Sequence, residues 1–205
     1  MPAPINDLEH NKRAITDFSV ESLILRRWSP RAFADTSVSD THLKTIFTAA
    51  SWAASSYNEQ PWRFLVGRKG DETWSKIFNS LLPLNQGWAN AAPVLYAAIV
   101  KKTFSHNGSV NQVAPHDVGA ACATLSLQAT ALGLHTHGMA GFNPQTLRDS
   151  FGIPSDYDPT SCWALGYLGD PATLPENYRN LEFLPRTRKP LEVFVYSQWE
   201  QPAKL

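Results

Sequence analysis

A chain of 205 residues, 43% of them hydrophobic, fits one large α/β domain with a sizeable core better than two small domains. Its 18 basic residues balance its 18 acidic ones, so there is no overall field to gather nucleic acid or an anionic membrane surface. Two cysteines, Cys122 and Cys162, are too few for a disulfide scaffold or a four-cysteine metal site, and they read as small buried thiols.

Met1 to Arg13 contains acids and no apolar core segment, which argues against a secretory signal. Residues 1–19 read as a polar extension lying on the surface or on a partner, ahead of a single domain over 20–205. Val20 to Arg27 predicts a short helix that stops before Pro30. Ser39, Asp40 and Thr41 are capping residues ahead of Leu43, Ile46, Phe47 and Ala50, whose helical spacing carries a helix to the region of Ala53. After a polar stretch over 55–60, Pro61 opens a predicted strand over 62–67, and Trp74 to Leu82 fits a helix. Val94 to Val100 is a continuous apolar run suited to a strand buried on both faces. The whole apolar run, from Ala91, is about half the length of a membrane span, so a cytoplasmic location is expected.

Val118 to Leu132 is helical in pattern and rich in small residues, with Gly133 placed as a C-terminal cap. Small side chains on two sides let other backbones approach, so this helix is expected to be central. A strand over 135–142, a short helix near Pro144 to Phe151, a strand over 162–168 and a tail through 191–196 follow. The alternation indicates an α/β or α+β class, with a sheet mixing parallel and antiparallel pairs and helices flanking it.

No G-x-x-x-x-G-K-[ST], G-x-S-x-G, H-E-x-x-H or G-x-G-x-x-G pattern occurs. His135 and His137 share a face of a strand, but they have no evident carboxylate or cysteine partner, so no metal site is expected. Basic residues cluster twice, in Arg26-Arg27-Trp28-Ser29-Pro30-Arg31 and in Arg186-Thr187-Arg188-Lys189. Each mixes guanidinium groups with a hydroxyl, the chemistry that holds a phosphate dianion through charge-assisted bonds of about 1.5–3 kcal/mol apiece. Either block alone reads as a solvated patch; two at opposite ends of a neutral chain make convergence on one anion more plausible. A third segment, Ser55 to Trp62, places hydroxyls and amides in a loop, groups that suit the donor–acceptor edge of a heterocycle or an ordinary polar turn.

Several segments also form ordered motifs. Arg27 to Phe33 reads R-x-S-x-[RK]-x-F, and Ser55 to Trp62 reads S-S-x-N-x-Q-P-W. Asn85 to Trp88 with Ala92-Pro93 gives N-Q-x-W…A-P, and Asp117 to Leu134 gives D-x-G-x-A…L-x-A-x-x-x-G-L. Gly141-Phe142, Gly166-Tyr167 and Pro185 to Leu191 complete the series. In this order they resemble the nitroreductase-like family of FMN-dependent oxidoreductases.

The resemblance implies an α+β sandwich whose two subunits intertwine as a homodimer, with FMN at their interface. It implies that Arg27, Ser29 and Arg31, with Trp28 between them, hold the phosphate, ribityl chain and pyrimidine edge. Arg186 and Arg188 would close on the phosphate, while Ser55, Ser56 and Asn58 reach in from the partner subunit. Asn85 would bond the pyrimidine side, and Ala140 and Gly141 would lie beside the flavin N5, with the Gly141 N–H aimed at it. NADH or NADPH would supply a hydride, and a nitroaromatic, a quinone or a similar electron-poor acceptor would remove the electrons in ping-pong fashion, with no catalytic side chain required.

Trp28 and Ala140 depart from the commoner pattern: the indole either narrows the site or packs, and alanine replaces a carboxylate found in some members. The short stretch between Gly67 and Asp117 implies an open pocket. The rival readings are a flavin-storing or flavin-sensing protein of the same fold, a member with reductive dehalogenation or flavin-cleavage chemistry, and a scaffold without flavin.

Overall fold

The computed structural model describes residues 5–205; of the segment read as an N-terminal extension, residues 1–4 lie outside the described residues. Strands β1 (Trp62–Arg68), β2 (Val94–Lys101), β3 (His135–Met139) and β4 (Tyr157–Gly166) form a sheet in the order β1-β2-β4-β3. The α+β class is as expected, but every pair in this sheet is antiparallel, which corrects the expected mixture. A long helix joins β2 to β3 and leaves them pointing the same way. β4 then inserts between them, so the two like-directed strands never touch.

β2 carries the core. All its residues from Val94 to Val100 are buried, and their alternation divides them between two faces. Leu95 and Ala97 join Trp74, Ile77, Trp88 and Leu147, from helices α4 (Glu72–Ser80), α5 (Pro83–Ala89) and α7 (Pro144–Phe151). Val94, Tyr96, Ala98 and Val100 meet Leu43, Ile46 and Ala50 of α3 (Asp40–Ser51) and Val118, Ala121 and Leu125 of α6 (Ala114–Ala131). The continuous apolar run of β2 is the sequence's answer to burial on both sides.

The helices obey their capping signals. Ser39 Oγ accepts the His42 N–H at 3.1 Å to open α3. α6 starts earlier than the apolar spacing indicates, at Ala114, because Pro115 suits a first turn. Gly133, at φ +71°, closes it, and the Leu134 N–H returns to the Ala129 carbonyl at 2.8 Å. Two short helices open the chain, α1 (Ile5–Asn11) and α2 (Ser22–Arg26). After β4 come α8 (Glu176–Glu182) and a small hairpin of β5 (Tyr196–Gln198) and β6 (Gln201–Pro202).

Gly67, near the end of β1, lies against the first turn of α4. A Cβ there would come within 2.1 Å of the Trp74 backbone nitrogen, where no flexible side chain can yield. Gly67→Ala is therefore expected to destabilise the fold by about 1–3 kcal/mol, the usual cost of overpacking. Urea denaturation would show this as a lower midpoint at unchanged slope, and an unchanged midpoint would refute the close approach.

Candidate functional site

The first basic block follows α2, which stops because Pro30 bars a continuing helix and turns Arg27 to extended backbone at ψ 122°. The Arg27 guanidinium donates to Ser29 Oγ at 3.1 Å. The second block lies on the irregular segment after α8. Arg186 Nη1 there donates to the carbonyls of Lys12, at 2.8 Å, and Leu25, at 2.7 Å. Both blocks line one cavity of about 240 Å³, with Lys12, Arg27, Ser29, Arg31, Arg186, Arg188 and Glu182 on its walls. Arg27, Ser29, Arg31, Arg186 and Arg188 are thus brought together within one chain.

Electrostatically the cavity is strongly cationic. Burial, followed by repulsion from Arg188, lowers the Arg27 pKa. Arg186 is lowered by burial and then by Arg27 and Arg188. The one carboxylate on the wall, among the described residues, is Glu182, 1% exposed. Its Oε1 accepts the Arg31 backbone N–H at 3.0 Å and lies 3.7 Å from Arg31 Nη1. Burial pushes this carboxyl above its ordinary range. Five cations against a single buried acid leave positive charge that a dianion would relieve.

β3, at the sheet edge, connects the socket to the next group of residues. The His137 ring donates its Nδ1–H to the Pro30 carbonyl at 2.8 Å, tying the arginine loop to the strand. Trp88 of α5 lies against the same imidazole at 4.4 Å between centroids. Burial pulls the His137 pKa down to about 4, so the ring is neutral at ordinary pH. Just past β3, the Gly141 carbonyl accepts bonds from the Leu82 N–H at 3.0 Å and from Asn85 Nδ2 at 2.9 Å. A Cβ on Gly141 would stand 2.7 Å from that Asn85 nitrogen, so glycine is what permits this contact. The Gly141 N–H donates to no acceptor among the described residues, and Ala140 beside it is exposed.

Trp28 both packs and lines the arginine cavity. It is 5% exposed, clusters with Leu8 and Leu168, and meets the His135 ring edge-on at 5.9 Å. Ser55, Ser56 and Asn58 line none of the arginine cavity. Their loop is anchored instead to α6, where the Ser56 N–H donates to Asp117 Oδ2 at 3.0 Å. Ser55 Oγ accepts the Gln60 N–H at 3.0 Å, and Tyr57, Asn58 and Gln60 all hold left-handed φ values between 52° and 55°. Three non-glycine residues in that region are costly and mark a loop fixed by its surroundings. Beside Arg27 and Ser29 runs an apolar trough of about 470 Å³, walled by Ile24, by Val118, Cys122 and Leu127 of α6, and by Trp163 of β4.

Lys12, Glu182 and His137 are contributors that residue patterns do not reveal as such. A lysine in a polar N-terminal stretch reads as solvated, and a single acid in Leu181-Glu182-Phe183-Leu184 gives only a faint hint of burial.

The model of the nitroreductase family matches residues 24–82 and 71–167, which takes in the first arginine block, the polar loop, the Asn85 segment and the sheet. The chain belongs to the nitroreductase family. A Mycolicibacterium smegmatis protein of 15.4 kDa, uncharacterized, is 34% identical over 149 residues, covering 68% of this chain and 99% of that protein. An Archaeoglobus fulgidus protein that bears the name of an NADH dehydrogenase/NAD(P)H nitroreductase is 28% identical over 152 residues, covering 72% of this chain and 84% of that one. Among solved structures, an oxidoreductase containing FMN superposes with a TM-score of 0.85 at 37% identity, over 91% of this chain and 95% of the other. A nitroreductase family protein from Clostridium difficile 630 gives 0.67 at 26% identity, over 86% and 96%. This nitroreductase-family chain has no helix, among its described residues, long and apolar enough to cross a membrane.

The half-buried, neutral His137 gives the family member a pH signature. Its folded pKa, about 4, lies below the unfolded value of 6.5. As pH falls from 6.5 toward 4 the unfolded chain takes up a proton that the folded chain refuses, and stability is lost at up to about 1.4 kcal/mol per pH unit. His135, lowered by burial, acts in the same direction. His137→Gln should flatten the fall in denaturation midpoint between pH 6.5 and about 4.5, and an unaltered pH profile would refute the assignment.

Proposed function

We propose that this chain is an FMN-dependent oxidoreductase that takes reducing equivalents from NADH or NADPH and passes them to nitroaromatic, quinone or similar electron-poor acceptors. The observation that carries this reading is the cationic socket of Arg27, Arg31, Arg186 and Arg188 around the Ser29 hydroxyl, set on one edge of the sheet with Asn85 and Gly141. The FMN of the superposed oxidoreductase, 37% identical, supports the choice of cofactor, and the Archaeoglobus relative's name supports the choice of donor.

The residues present fit FMN. The guanidinium groups supply the charge for a phosphate dianion, and Ser29 supplies a hydroxyl at the start of a polyol chain. Asn85, fixed on the Gly141 carbonyl, keeps its own carbonyl oxygen for a ring N–H, and the Gly141 N–H has a free donor for a ring nitrogen. When bound, the flavin would supply two-electron redox chemistry. The chain's part is then to bind, orient and desolvate: arginines at one end, amides along an edge, and an apolar trough alongside. Ala140 offers no carboxylate there, so donor and acceptor would meet a surface that selects by shape and stacking rather than by charge.

The site is proposed to be shared between two copies of the chain. Ser55, Ser56 and Asn58 stand apart from the arginines within one copy, and the tail leaves Phe194 at 58% and Trp199 at 84% exposure. Large apolar side chains on an extended tail suit an intertwined homodimer. Nicotinamide donors would place the reaction in the cytoplasm. Sedimentation at the mass of two chains is expected, and a monomer that retains flavin would refute the shared site.

The decisive test is the visible spectrum of the purified protein, followed by anaerobic addition of NADH or NADPH. Bleaching of a bound flavin, reversed by a nitroaromatic or quinone, is expected. Flavin that neither nicotinamide bleaches would turn the reading to storage or sensing, and failure to bind FMN would overturn it. Combined Arg27→Ala and Arg188→Ala should weaken FMN binding by about 10²–10⁴-fold, the loss of two charge-assisted bonds, while the fold remains. Full flavin occupancy in that variant would refute the socket.

A further inference from the structure

We propose that Lys12 is a further residue of the phosphate socket, so that the N-terminal segment serves its own chain's cofactor site rather than a partner's surface. The inference rests on the reading of the socket as an FMN phosphate site.

α1 docks on the body of its own chain. Leu8, 2% exposed, packs with Trp28 and Leu168, and Glu9 Oε1 lies 3.0 Å from His135 Nε2. The helix therefore reaches the residues that flank the arginine loop, and it delivers the chain to Lys12. That residue is 5% exposed, a rare condition for lysine. Its Nζ donates to the Leu184 carbonyl at 2.6 Å and stands 5.1 Å over the Trp28 ring. It lines the same cavity of about 240 Å³ as Arg27, Ser29, Arg31, Arg186 and Arg188.

The anchoring runs in both directions. Lys12 Nζ holds the carbonyl at 184, and Arg186 Nη1 holds the carbonyl of Lys12 itself at 2.8 Å. An ammonium has three donors, and the Leu184 bond uses one of them. Burial lowers the Lys12 pKa; of the charges around it, Glu182 favours the ammonium while Arg186 and Arg31 oppose it. A phosphate dianion in the cavity would reverse that balance and accept the remaining donors. Packing alone would be met by an apolar side chain of similar length; the choice of a cation at this place is what the anion explains.

The discriminating probe is the pair FMN and riboflavin, which differ by the phosphate. In the full-length protein freed of flavin, Lys12→Met should weaken FMN binding by about tenfold or more, the worth of one charge-assisted bond. Riboflavin affinity, read in the same fluorescence titration, should change less than about twofold. Lys12→Gln, which keeps a donor for the Leu184 carbonyl but drops the charge, should show the same split, and Lys12→Arg should restore most of the FMN affinity. Unchanged FMN affinity in Lys12→Met and Lys12→Gln would overturn the proposal. Equal weakening of both flavins would overturn it as well, because it would mark a purely structural role. Wild-type protein that binds neither flavin would overturn the FMN reading, and this inference with it.

Discussion

Like charges gathered in one cavity repel, and the protein must hold them there by other means. Lys12, Arg27, Arg31, Arg186 and Arg188 face a common space over a single buried acid. What keeps them in place is hydrogen bonding to backbone carbonyls: Arg186 to positions 12 and 25, Lys12 to position 184, and His137 to position 30. Each bond joins segments remote in sequence, so the socket is tied together from four stretches of chain rather than from one motif. Its repulsion is a standing cost, which the Glu182 carboxyl offsets in part although burial disfavours its charge.

The sheet makes this knot possible by offering a rigid edge. β2 is locked on both faces, β4 lies between β2 and β3, and β3 is an edge strand of the sheet among the described residues. The arginine loop is tied to β3 by the His137 side chain, and the Gly141–Asn85 contact forms just past the strand's end. A neutral imidazole suits this position, because it offers a single N–H to a carbonyl without adding charge beside guanidinium groups.

Much of the fold is legible in the sequence because periodicity and capping act locally. The α3 stripe, the Ser39 cap, the Gly133 stop and the unbroken run of β2 each translate directly into structure. α5 and α8 are not legible in this way, since Pro83-Leu84-Asn85-Gln86-Gly87 and Glu176-Asn177-Tyr178-Arg179 carry little apolar rhythm and bury few side chains, Trp88 and Ala89 in one and Tyr178 and Glu182 in the other. Strand pairing departs from expectation because β-helix-β succession fixes neither direction nor adjacency: helices join β1 to β2 and β3 to β4, yet both pairs are antiparallel neighbours. Of the site, the arginine blocks stand out by their chemistry. Lys12 and Glu182 do not, because burial of a charged group is decided by tertiary neighbours that no local pattern reports. The Ser55–Asn58 loop is legible as a motif, but its distance from the arginines within a chain is not.

The bonds that close the socket span 172 and 174 residues, nearly the whole chain. During synthesis the sheet and α6 can form while the segment beyond them is still inside the ribosome, since their contacts use residues already made. The cavity cannot. Its walls meet only after the final turn of α8 and the segment to Arg188 have emerged and folded back on α1. The cationic cavity is therefore completed only by the segment from 181 to 188, and a chain truncated ahead of Arg186 would lack the place where charge is gathered.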